Sequence, residues 1–184
     1  MLGWLQKHQV AIREVWLPAS SVAANLLVAA ALMVAVLSYC QQQRQTAVEA
    51  SLSYVERFSD GAILTARNAL FDSWKSYDFS MVSNGLSREE AEALVSRVVA
   101  AEKKVGNDLL TPISEIVTFI DGAQICIDQS ICDRDVLHRQ MGEYARTFYC
   151  LYRSVVEAQR RRAHMMGFGT GVEQFANNAG GCTA

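Results

Sequence analysis

VAANLLVAAALMVAVLSY, residues 22–39, is apolar except for Asn25 and Ser38, and it sits in a longer run, residues 15–43, of 29 residues without a charged side chain. The hydrocarbon core of a bilayer is about 30 Å thick and a helix rises 1.5 Å per residue, so roughly 20 such residues cross it with every backbone amide bonded within the helix. The stretch is therefore expected to be a transmembrane helix. Trp4 and Trp16 before it and Tyr39 at its end carry rings suited to the two membrane interfaces. A secretory signal has a shorter apolar core, about 7–15 residues, and a small-residue cleavage site. No Ala-x-Ala follows directly here, and Tyr39 stands where a lipoprotein box ending at Cys40 needs a small residue. Retention as a single-pass signal anchor is the expectation. Lys7 and Arg13 before the run balance Arg44 and Arg57 after it, so the basic-residue count leaves the orientation open.

Working outward, the rest of the 184 residues suffice for one small domain. Two prolines, eleven glycines and no Asn-Gly or Asp-Gly turn between alternating apolar runs favour helices over sheet. Ile63, Ala66, Leu70 and Trp74 recur at helical spacing. Residues 78–86 read as a loop, and Ser87-Arg88-Glu89-Glu90 is a capping box opening a helix with the stripe Ala91, Leu94, Val95, Val98 and Val99. Gly106-Asn107 stops that helix before a new start near residues 108–112. Ile113, Ile116, Val117, Ile120, Ala123 and Ile127 form a third stripe. After a polar break at residues 128–133, Met141, Tyr144, Phe148, Leu151, Tyr152 and Val155 form a fourth. The expected fold is all-α: a single N-terminal transmembrane helix followed by a small bundle of about four or five helices. The divisions are an N-terminal lead (1–14), the transmembrane helix and its flanks (15–43), a helical domain (44–162) and a flexible Gly-rich tail (163–184).

A net charge of −2 gives no general pull on nucleic acid, which is not expected as a partner. Arg160, Arg161 and Arg162 end the last stripe, where cations suit the negative pole of a helix; contact with anionic lipid headgroups is the alternative. Small residues four apart in the span (Ala19/Ala23, Ser20/Ala24, Ala31/Ala35), with Asn25, allow a close helix contact in the membrane. Five cysteines, an odd number without framework spacing, read as buried or idle thiols in a reducing compartment.

Signatures of phosphate-loop, metalloprotease and serine-hydrolase chemistry are absent. Cys126-x5-Cys132-x5-His138 is too widely spaced for a usual zinc set, and His8, His138 and His164 read as surface residues. Glu115, Asp121, Asp128 and Asp133 read as solvated faces and helix caps. Arg67 and Arg146 are expected to lay their stems on the core and pair with carboxylates, and Tyr144, Phe148, Tyr149 and Tyr152 to pack within it. No catalytic residue, metal or cofactor is expected.

The order of a span, then Gln41-Gln42-Gln43-Arg44-Gln45-Thr46, then Tyr54-Val55-Glu56-Arg57-Phe58, Ala66-Arg67 and Ile131-Cys132-Asp133-Arg134-Asp135-Val136-Leu137 resembles a group of bacterial membrane-anchored proteins filed as a domain of unknown function. The likeness covers roughly residues 26–162, with a longer charged lead and the Gly-rich tail as departures. The resemblance implies a bacterial inner-membrane anchor with a cytoplasmic helical domain, and carries no activity. The functional expectation is a membrane-tethered interaction or regulatory module that docks a protein partner or self-associates. The alternatives are an accessory subunit of a larger membrane complex and an enzyme with an unrecognised site.

Overall fold

The computed structural model describes residues 2–75, 77, 88–162 and 165–182, with side chains for all of these except 2–21, 23 and 88. The expected loop at 78–86, Ser87 of the capping box, His164 and the side chains of His8, Ala19, Ser20 and Ala23 lie outside what is described. Among the described residues every regular element is a helix: α1 (Leu2–Phe58), α2 (Gly61–Trp74), α3 (Arg88–Lys104), α4 (Leu110–Asp128), α5 (Arg134–Arg162) and α6 (Thr170–Asn178).

The chain divides into two units, residues 1–45 and 46–184. In the first, the described apolar side chains of α1 are exposed along its length; Leu27 and Met33, for example, are 72% and 67% exposed. Length and composition admit this helix as a membrane anchor or a signal sequence, and they admit α4 as well, half of which is buried in the second unit.

In that second unit α4 is the central element. Ile113, Ile116, Val117 and Ile120 are fully buried, each stabilising the fold by about 1.5–3 kcal/mol through burial. Helices α2, α5 and α6 pack against it, and α3 packs on α5. Asp108 opens α4, its carboxylate accepting from the Leu110 amide at 3.0 Å and the Thr111 hydroxyl at 2.8 Å; these bonds, the hydroxyl's foremost, hold the carboxyl below its ordinary range. The break before α5 is clamped to α1 by Ser51, a fully buried serine whose Oγ accepts from the Asp133 amide at 2.7 Å and donates to the Ala47 carbonyl at 2.8 Å.

Two expectations are corrected here. The glycine-rich segment is folded rather than a flexible tail: α6 buries Val172, Phe175 and Ala176 completely against α4 and α5. Asp121 of α4 makes this possible, because its carboxylate accepts from the amides of Gly169 (2.7 Å) and Val172 (2.8 Å), capping α6 from a neighbouring helix. Gly169 adopts φ +76° to enter the turn, and Gly171 passes so close that a Cβ there would lie 2.6 Å from Asp121 Cα. The cysteines are also not idle thiols. Cys126 pairs with Cys132 across the break after α4, and Cys150 of α5 pairs with Cys182 beyond α6, leaving Cys40 as the free thiol.

Candidate docking site

The turn between α1 and α2 builds one wall of a surface trough. Helix α1 ends at Phe58, Asp60 is extended and its Oδ1 accepts from the Gly61 amide at 2.7 Å, and Gly61 at φ +60° swings the chain into α2. This brings Glu56, Asp60 and Ile63 alongside α4. The trough consists of two adjoining depressions of 460 and 610 Å³ that share Ala62, Ile63, Thr118 and Phe119.

Its floor is apolar and braced from beneath. Tyr54 packs on Phe119 with ring centroids 5.6 Å apart, and its hydroxyl donates to the Gly122 carbonyl at 3.4 Å. Phe58 stacks on Phe119 at 6.0 Å and meets Tyr144 edge-on at 5.0 Å. Among the described residues Arg67 does not pair with a carboxylate as expected. Its guanidinium lies 4.1 Å and 4.8 Å from the centroids of Phe58 and Tyr144 and donates to the Phe58 carbonyl at 3.0 Å, so a cation braces the floor from inside. Burial pushes the Tyr144 hydroxyl up to about 12, keeping it neutral beside that cation.

The rim is acidic. Glu56 and Asp60 stand in one depression and Glu115 in the other. Arg57, the cation lining the trough, is drawn over the Tyr54 ring at 5.3 Å and donates to Ser53 Oγ at 3.3 Å. A third depression, of 690 Å³, lies along α2 and shares Thr111 and Glu115 with the second; of its other carboxylates, Asp72 pairs with Lys75 at 2.6 Å, Glu102 accepts from Asn107 at 2.7 Å, and Asp108 accepts from the Thr111 hydroxyl at 2.8 Å. An apolar seat with Glu56 and Asp60 in one depression and Glu115 in the other is complementary to an apolar group flanked by cations.

The residues singled out in the sequence are dispersed. Asn25, Ala31 and Ala35 are exposed on α1. Arg160 is held inside the fold, its Nε donating to the Phe168 carbonyl at 2.7 Å and its terminal nitrogen lying 3.3 Å from Glu173, so it serves α6 rather than a headgroup. Arg161, 3.9 Å from Glu157, and Arg162 remain exposed. His138 is not a surface residue: it stacks on Phe175 at 4.2 Å with both ring nitrogens buried and unpartnered, and burial lowers its pKa. Asp121 and Asp133 are caps, and Phe148, Tyr149 and Tyr152 are core, the last accepting a hydrogen bond from the Trp74 indole. Among the described residues no set of three or more His, Cys, Asp or Glu side chains converges to hold a metal ion.

The trough itself was not anticipated, although Phe119 falls one residue beside the Ile116/Ile120 stripe and so marks the edge of the core face. Compared with known protein families, curated proteins and solved structures, the chain matches none of them.

Proposed function

We propose that the chain is a single-pass, membrane-tethered helical interaction module without catalytic activity of its own, anchored in a bacterial inner membrane with its domain on the non-cytoplasmic side. The observation that carries the tether is the apolar helix of residues 24–40, whose side chains are exposed throughout while the core of the other unit is complete without it. Large apolar side chains left in water in such number call for a lipid or protein cover. The orientation rests on the cysteines: four of the five are paired, and cytosolic reductants keep thiols open. The expectation of a cytoplasmic domain rested on the family resemblance and on free thiols, and the second of these supports is gone. The fifth, Cys40, lies at the end of the apolar run. The binding role is supported by the trough.

Washing membranes with alkaline carbonate is expected to leave the full-length chain in the pellet; recovery of intact chain in the supernatant would remove the tether, and a shortened chain would mark the segment as a cleaved signal. Alkaline phosphatase fused after Ala184 is expected to be active and green fluorescent protein at the same place dark. The reverse pattern places the domain in the cytoplasm. An accessory-subunit role is the second reading, favoured by the exposed polar Asn25 on an otherwise apolar helix face. Purification in mild detergent with a stoichiometric set of other membrane proteins would favour it.

A further inference from the structure

We propose that the trough seats a second copy of this chain: Met165 and Met166 of one copy, preceded by Arg161 and Arg162, dock between α2 and α4 of the other. The inference rests on the interaction-module reading and adds the partner's identity. The trough offers an apolar floor, Ile63 and Phe119, with Glu56 and Asp60 in one depression and Glu115 in the other. Along α4, about 10 Å separates Glu115 from Gly122, the length of a few side chains in a row. An anionic membrane surface is a poor occupant, since these carboxylates repel its headgroups.

The same chain carries the complementary feature. Met166 is 84% and Met165 49% exposed, so two consecutive large apolar side chains lie at the surface just before α6. Arg161 and Arg162 precede them and are exposed. Methionine is unbranched and polarisable, so it fits an open, irregular seat. The basic ridge begins beside the acidic trough: the Ser114 hydroxyl, which lines it, donates to Gln159 Oε1 at 3.1 Å, tying the end of α5 to the first turns of α4. A basic apolar edge beside an acidic apolar trough on one surface is self-complementary, the condition for a two-fold pair in which each copy gives its ridge and receives the other's. Confinement to one membrane raises the effective concentration of the copies, so a modest patch is enough.

The test is photocrosslinking of the full-length chain in its membrane, with p-benzoylphenylalanine in place of Ile63. The expected product is an adduct of twice the chain's mass, attached at Met165 or Met166. The paired substitution Glu56→Arg and Glu115→Arg should lower the yield roughly tenfold, Arg161→Glu with Arg162→Glu should do the same, and the four together should restore it, because exchanged charges re-form the pairs. All four positions are exposed, so folding is checked by unchanged thermal unfolding. Attachment to another site, failure of the combined variant to recover, or an adduct with a different protein each overturns the pairing. A different protein leaves the interaction-module reading standing, whereas no adduct from half-buried Ile63 or from any exposed position removes both.

Discussion

At the scale of single residues, the docking of α6 depends on atoms that leave no room for substitution. A Cβ at Gly171 would lie 2.6 Å from Asp121 Cα and 2.8 Å from its Oδ1, and backbone cannot yield as a flexible side chain can. Gly171→Ala is expected to cost about 1–3 kcal/mol, seen as a lower thermal midpoint. Asp121→Ala removes the acceptor of two α6 amides and is expected to cost about 1–2 kcal/mol in the same measurement. Burial raises the Asp121 carboxyl, against the pull of the Gly169 and Val172 amides and of Arg160. His138 predicts a pH effect of definite sign. Its folded pKa is lowered from 6.5 by burial, so just below 6.5 the unfolded chain takes up a proton that the folded chain refuses. Its share of stability is intact above pH 6.5 and declines as pH falls beneath that value. The His138→Phe variant should show a smaller decline in denaturant midpoint between pH 7 and pH 5.5 than the parent chain; an identical slope in both would show that the imidazole does not titrate on unfolding.

At the scale of elements, α6 is nine residues long and too short to persist alone, so its helicity is a tertiary property. The Cys150–Cys182 bridge, spanning 32 residues of sequence, contributes about 3–4 kcal/mol by limiting the unfolded chain. In the Cys150→Ser, Cys182→Ser variant, amide hydrogen exchange is expected to quicken first and most in residues 170–178, with α4 last to follow; uniform exchange across the domain would show that α6 is not a separately releasable element. This helix also marks the limit of what could be read from the sequence. The stripes of α2, α3, α4 and α5 were legible because apolar side chains, aliphatic in α3 and α4 and largely aromatic in α5, recurred at three and four residues over long segments. Val172, Phe175 and Ala176 keep the same spacing, but over one turn and among glycines, and the capping carboxylate lies some fifty residues away in sequence. Ser51 was illegible for the same reason: its partner is the Asp133 backbone, and nothing local announces it. The trough was hidden because its walls come from three separate helices.

At the scale of the whole molecule, the cysteines divide by unit, and the odd count misled because it was taken over the entire chain. Setting aside Cys40 in the N-terminal unit leaves four, all paired in the other. By the loop-entropy relation the two bridges together contribute about 6 kcal/mol, set against a net stability of about 5–15 kcal/mol for a domain of ordinary size. A domain that leans on its bridges to this extent is suited to a compartment that makes and keeps them. The expected outcome in cells is therefore one reactive thiol, Cys40, when the chain is acid-quenched, denatured and treated with N-ethylmaleimide, and four more after reduction, read as mass increments on the intact chain. The same domain confined to the cytoplasm by replacing residues 1–45 with a soluble fusion should carry four open thiols and unfold at a lower temperature until oxidised. If the full-length chain instead takes up five equivalents of N-ethylmaleimide without reductant, the bridges do not form in the cell. The non-cytoplasmic placement then loses its support, and α6 must be held by its cap and its buried face alone.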